Sequence, residues 1–197
     1  MGKPLEATVR VSRNVERKGW TWCTVSVSLS LIGLLLGSCS QTDSPPTISA
    51  EFDSRHNDEQ PALSGDGRFL AFVSNRSGNR GILLYDLKQR QVVSLPRLNR
   101  SDAIAESPSL SYTGRYIVYL ASDSVRPEIE LYDRVLQQPQ VLTAHYRGWF
   151  RNPSISPDGR YIAFETDGRG QWDIEVMDRG PNVESDIPDG RRSQAFP

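Results

Sequence analysis

Short apolar runs framed by Gly, Pro, Asp and Ser recur along this chain in a fixed order, and no window holds the i, i+3, i+4 spacing of a strong amphipathic helix. Phe69-Leu70-Ala71-Phe72, Tyr116-Ile117-Val118-Tyr119 and Tyr161-Ile162-Ala163-Phe164 are apolar on consecutive positions. That pattern predicts strands covered on both faces rather than half-exposed ones. Each follows a glycine turn at Gly67, Gly114 or Gly159, and each leads to a further apolar run that stops at Asp86, Asp133 or Asp178. Pro61, Pro108 and Pro153 open the three units, where a residue without an N–H suits the start of an edge strand. The step is 47 and then 45 residues at all three landmarks. Gln91 to Leu95 and Gln140 to Thr143 read as fourth strands of the first two units, and Thr47 to Phe52 as a lone strand upstream. Strand, turn and strand at a period of roughly 40 to 50 residues predicts an all-β array of propeller blades.

The clearest unit runs from Asn152 to Asp178. Its Pro153-Ser-Ile-Ser-Pro-Asp-Gly-Arg-Tyr-Ile-Ala-Phe164, followed by a glycine turn and Ile174-Glu-Val-Met-Asp178, resembles the TolB-type, WD-like β-propeller repeat. The resemblance covers about residues 60–180, as blades near 60–100, 107–145 and 152–180. The first unit has Gly65-Asp66-Gly67 and the second Tyr112-Thr113-Gly114 in place of Pro-Asp-Gly. Similar repeats occur in propellers attached to prolyl oligopeptidases, and the repeat itself implies no chemistry. TolB-type propellers are typically six-bladed, so three blades resemble half a ring.

The N-terminus adds a location. Lys3, Arg10, Arg13, Arg17 and Lys18 precede an uncharged, mainly apolar stretch from Thr24 to Leu36, which is the layout of a signal peptide. At about 13 residues its apolar centre is short of the ~20 that a helix needs to cross a bilayer. Leu36-Gly37-Ser38-Cys39 at its end resembles a bacterial lipobox, which implies cleavage after residue 38 and acylation of Cys39. Residues 1–38 are thus expected to be a lipoprotein signal peptide, 39–59 a lipidated tether and 181–197 a disordered tail. The formal net charge of −1 becomes more negative once that basic segment is removed, leaving no basic stripe for nucleic acid. Cys23 and Cys39 are the only cysteines, so no disulfide falls within the repeats.

Chemistry is sparse. The only histidines, His56 and His145, read as exposed loop residues, and no Gly-x-Ser-x-Gly elbow occurs, so catalytic residues, cofactors and enzyme activity are not expected. Asp123, Asp167 and Asp173 lie near turns but do not cluster as calcium ligands do. Trp149, Phe150 and Arg151 are the candidate partner-binding residues, because exposed Trp and Arg are enriched in interface hot spots. The competing reading packs Trp149 and Phe150 between blades, and Trp172 reads as core.

The function expected is a non-catalytic, membrane-anchored propeller lipoprotein that binds an unknown protein partner or serves as a scaffold at the bacterial envelope. Two competing readings are an accessory propeller of a separately encoded hydrolase and a truncated remnant of a larger TolB-like protein. A homodimer closing two sets of three blades into one ring is the assembly this suggests.

Overall fold

The computed structural model describes residues 54–123 and 125–188. The signal segment, Cys39, residues 39–53 of the expected tether and Thr47 to Phe52 lie outside the described residues, whereas Asp58 and Glu59 at the end of that tether already belong to the first strand. Among the described residues eleven strands run in chain order: β1 Asp58–Leu63, β2 Phe69–Ser74, β3 Gly81–Asp86, β4 Gln91–Val93, β5 Ile104–Leu110, β6 Tyr116–Ser122, β7 Pro127–Asp133, β8 Gln138–Val141, β9 Phe150–Ile155, β10 Tyr161–Thr166 and β11 Asp173–Asp178. They form antiparallel sheets in the orders β1-β2-β3-β4, β5-β6-β7-β8 and β9-β10-β11, called blades 1, 2 and 3. The chain is all-β, as its periodicity predicts. The fourth strands differ slightly from expectation: β4 stops at Val93, and β8 starts at Gln138 and stops at Val141.

Two buried clusters hold the blades together. Phe69, Ala71, Ile82 and Leu84 of blade 1 pack against Leu110, Ile117, Tyr119 and Tyr132 of blade 2. Tyr116, Val118, Ile129 and Leu131 on the other side of blade 2 pack against Phe150, Ile155, Ile162 and Phe164 of blade 3. Each blade thus has a trailing face, turned to the next blade, and a leading face, turned to the previous one. This accounts for the consecutive apolar residues of β2 and β6, whose two sides are almost wholly buried. Strand β10 instead alternates exposed and buried, because among the described residues no fourth blade covers its trailing side.

The prolines do not open the strands. Each sits inside a first strand, at a bulge where the register slips: between Glu59 and Ala62, between Glu106 and Ser109, and opposite Ala163 to Glu165. Gln60, Ser107 and Asn152, the residues just before them, all have φ near +52°. An N–H is dispensable where the ladder is already broken, so Pro is tolerated there.

Repeated side-chain bonds then fix each blade. Arg68 pairs with Asp86 at 2.8 Å, Arg115 with Asp133 at 3.2 Å and Arg160 with Asp178 at 2.7 Å, tying the start of the second strand to the end of the third. Bonding to Arg68 holds the Asp86 carboxyl below its ordinary range, and bonding to Arg160 brings Asp178 down to about 2. Because these folded-state values are depressed, the stabilisation they supply is present above the unfolded value and is lost as pH falls through the folded one. Urea midpoints are therefore expected to be flat from pH 7 to about 5 and to drop below about pH 4. Arg160→Gln should lessen the drop at the acid end.

The blade 2 turn shows what replaces a missing acid. In blades 1 and 3 a serine hydroxyl, Ser64 or Ser156, donates to Asp66 or Asp158 and accepts the N–H of Phe69 or Tyr161. Blade 2 has Thr113 where the aspartate would stand, and the carboxylate comes from the C-terminal segment. The buried Asp186 accepts the Ser111 hydroxyl at 2.6 Å, the Thr113 N–H at 2.7 Å and the Thr113 hydroxyl. The Asp186 N–H donates to the Asp158 carbonyl at 3.0 Å, Tyr116 Oη donates to the Glu184 carbonyl, and Arg115 pairs with Glu184. Disorder is expected from residue 181, but Glu184 and Asp186 are bonded to the blade 2 and blade 3 turns, and 189–197 lie outside the described residues. Asp186→Ala should cost about 2 to 4 kcal/mol by removing charge-assisted bonds to buried donors, read as a shift in the urea midpoint.

Candidate partner-binding surface

The expected cluster Trp149-Phe150-Arg151 divides between core and surface. Phe150 is buried, edge-on to Tyr146 and Phe164 with ring centroids at 6.3 and 5.7 Å, and belongs to the core between blades 2 and 3. Alternation along β9 turns its neighbours the other way. Trp149 is exposed, and its backbone N–H donates to Asp167 Oδ1 at 2.6 Å. Arg151 bonds Glu165 on β10, and its guanidinium lies 3.8 Å from the ring centroid of Trp172. Trp172 is therefore not a core residue. It is exposed at the entry to β11, where blades 1 and 2 carry Arg80 and Pro127.

Arg151 is thus held between a carboxylate and an indole face. Bonds from Asn152 first, and Arg151 second, keep the Glu165 carboxyl below its ordinary range, so the pair is ionised at neutral pH. A guanidinium positioned in this way loses less side-chain freedom when a partner docks on it.

The other candidates form no chemical site. Asp123 accepts the N–H groups of Val125 and Arg126, Asp167 that of Trp149, and Asp173 the amide of Gln171. Each closes its own turn or loop. Among the described residues no three His, Cys, Asp or Glu side chains converge to hold a metal ion. His56 and His145 are exposed. A hollow of about 230 Å³ lined by blade 1 and the connection that follows it is bordered by Arg80 and Arg100. Arg80 pairs with Glu59 and Glu106, and Arg100 with Asp102 and the buried Glu130, so neither guanidinium is left over for an anion.

No protein family profile matches the sequence, and no curated protein matches it. Solved structures do match. TolB from Acinetobacter baumannii aligns over 65% of this chain and 31% of its own length, at 26% identity and a TM-score of 0.56. A putative TolB from Agrobacterium tumefaciens aligns over 60% of this chain and 42% of its own, at 22% identity and a TM-score of 0.50. A prolyl endopeptidase chain shares the fold over 64% of this chain and 18% of its own, at 16% identity and a TM-score of 0.50. The described sheets are thus TolB-like β-propeller blades, and the chain spans less than half the length of either TolB chain.

Proposed function

We propose that this chain is a non-catalytic, membrane-anchored propeller module that binds protein partners at the bacterial envelope. The observation that carries the reading is the exposed pair Trp149 and Trp172 beside a pre-positioned Arg151, the side-chain types that dominate interface hot spots. The lipobox-like Leu36-Gly-Ser-Cys39 supports the anchor.

Two experiments test it. A photo-crosslinking residue at position 149, in intact cells, is expected to give a discrete protein adduct that fades when Arg151 is changed to Ala. The same probe at exposed Val135 on blade 2 should give none, and equal labelling at both positions would remove the reading. For the anchor, the protein should partition into membranes and carry fatty acid, and Cys39→Ala should abolish both. Wild-type protein that is unacylated and cleaved elsewhere would defeat that part.

A further inference from the structure

We infer that a second copy of this chain docks its blade 1 on the trailing face of blade 3, and that two such contacts close the pair into one ring. The inference deepens the protein-binding reading by naming one partner, and it rests on comparing like positions in the three blades.

The trailing face of blade 3 is apolar and uncovered. Ile174 and Val176 are 70% and 62% exposed, whereas Ile82, Leu84, Ile129 and Leu131 at the same places in blades 1 and 2 are at most 2% exposed. Tyr161 is 41% exposed, against 5% for Phe69 and 2% for Tyr116. The leading face of blade 1 is the complementary case. Leu63 is 58% exposed, while its equivalents Leu110 and Ile155 are 7% and 8% exposed inside the two internal contacts. Leu63, Leu70, Tyr85 and Val92 stand in one cross-strand row; Leu70 is half-buried and Val92 is exposed. Tyr85 and Phe72 on that face are buried already, so Leu63, Leu70 and Val92 form its open part.

The three described blades thus expose, on their two outer sides, apolar residues at places that both internal contacts bury. A heterologous contact of this kind either repeats into a filament or closes, and two copies with two contacts give closure with two-fold symmetry.

Charge supports this pairing over stray apolar association. In both internal contacts a residue of the trailing face, Val73 or Leu120, lies in the same cluster as one from the next blade's first strand, Ala105 or Phe150. At the free ends these places hold Glu165 and Asp58, each paired with its own arginine, Arg151 and Arg76. Brought together, the two pairs make a neutral four-charge cluster, whereas a purely apolar partner would bury the ion pair of the face it covers without new bonds. One detail differs from the internal contacts. Arg134 and Arg179 lie over Phe69 and Tyr116 of the preceding blade, at 4.1 and 4.5 Å from the ring centroids, and blade 1 has Leu87 at that place. Tyr161 would receive an aliphatic cover.

The test uses the full chain in mild detergent, with the protein mass per complex measured by light scattering after subtracting bound detergent. Wild type is expected to hold two chains. Ile174→Arg and Leu63→Arg each remove both contacts, and each should weaken the dimer on the order of 100-fold. Mixing the two variants should restore two-chain complexes, because a wild-type trailing face then meets a wild-type leading face once per pair. Both sites are exposed, so far-UV circular dichroism should be unchanged. A wild-type single chain at every concentration, a ladder of larger species, variants that stay dimeric, or no recovery on mixing would each overturn the inference. A position-149 adduct joining two copies of this chain belongs to the contact inferred here, whereas an adduct to a different protein bears on the partner-binding reading alone.

Discussion

Phe164→Ala is expected to lower the stability of the folded chain by about 3 to 5 kcal/mol, the usual range for deleting a buried phenyl ring. Phe164 is 1% exposed and lies 5.7 Å from Phe150 and 5.9 Å from Tyr146, edge-on to both. Three rings from the β9 approach, β9 and β10 thus share one cluster between blades 2 and 3. The hole left by alanine cannot close by a shift of β10 alone, because that strand is paired on both sides with β9 and β11. Phe164→Leu should cost about half as much, since it keeps most of the apolar volume. Urea unfolding followed by tryptophan fluorescence would measure both. A midpoint unchanged by Phe164→Ala would mean that the contact between blades 2 and 3 is not part of the stable fold.

Much of this architecture was legible because each blade repeats the same spacing. Gly67, Gly114 and Gly159, with Asp86, Asp133 and Asp178, mark the same turns in the structure as in the sequence, and Gly159 takes the left-handed φ of 81° that the turn needs. The arginine that precedes each second strand stands 18 residues before its aspartate in all three blades, a signal available in the sequence that reports the repeated ion pair. The bulge at each proline was less legible. A missing N–H suits a strand's start as well as a break within it, and only the positive φ of the preceding residue separates the two. Asp186 was out of reach, since it acts on Ser111 and Thr113 across 75 and 73 residues. The clue was a vacancy: blade 2 is the unit without an acid before its glycine.

The surface was harder to read for a related reason. Phe150 alternates with Trp149 and Arg151, so three adjacent residues could not all face one partner, and the two-residue period of a strand already carried that information. Trp172 read as core from its apolar character, although Arg80 and Pro127 at the matching places showed that the position is not an apolar one. The exposure of Ile174 and Val176 has no counterpart in their own sequence. It depends on whether another blade follows, which neither residue encodes.

The second large effect is expected at Arg100, whose replacement by Ala should cost about 2 to 4 kcal/mol. Glu130 is 1% exposed, receives the Tyr119 hydroxyl at 2.6 Å and pairs with Arg100 at 2.7 Å. Burial first, and the bond to Glu130 second, drive the Tyr119 phenol well above its ordinary range, so it stays a neutral donor. Removing Arg100 leaves a buried carboxylate with its counter-ion gone. The usual range for breaking such a pair is about 3 to 5 kcal/mol, and the partly exposed guanidinium puts this case lower. Blade 1 shows how the same place is built without charge, since Phe72 and Leu83 occupy the positions of Tyr119 and Glu130. Arg100→Ala combined with Tyr119→Phe and Glu130→Leu should therefore return the urea midpoint to within about 1 kcal/mol of wild type, as apolar replacements of buried ion pairs commonly do. Recovery in the triple variant would assign the loss in the single one to the orphaned carboxylate. A triple variant as unstable as Arg100→Ala would instead assign it to lost packing of the arginine's aliphatic stem, and the account given for Glu130 would fail.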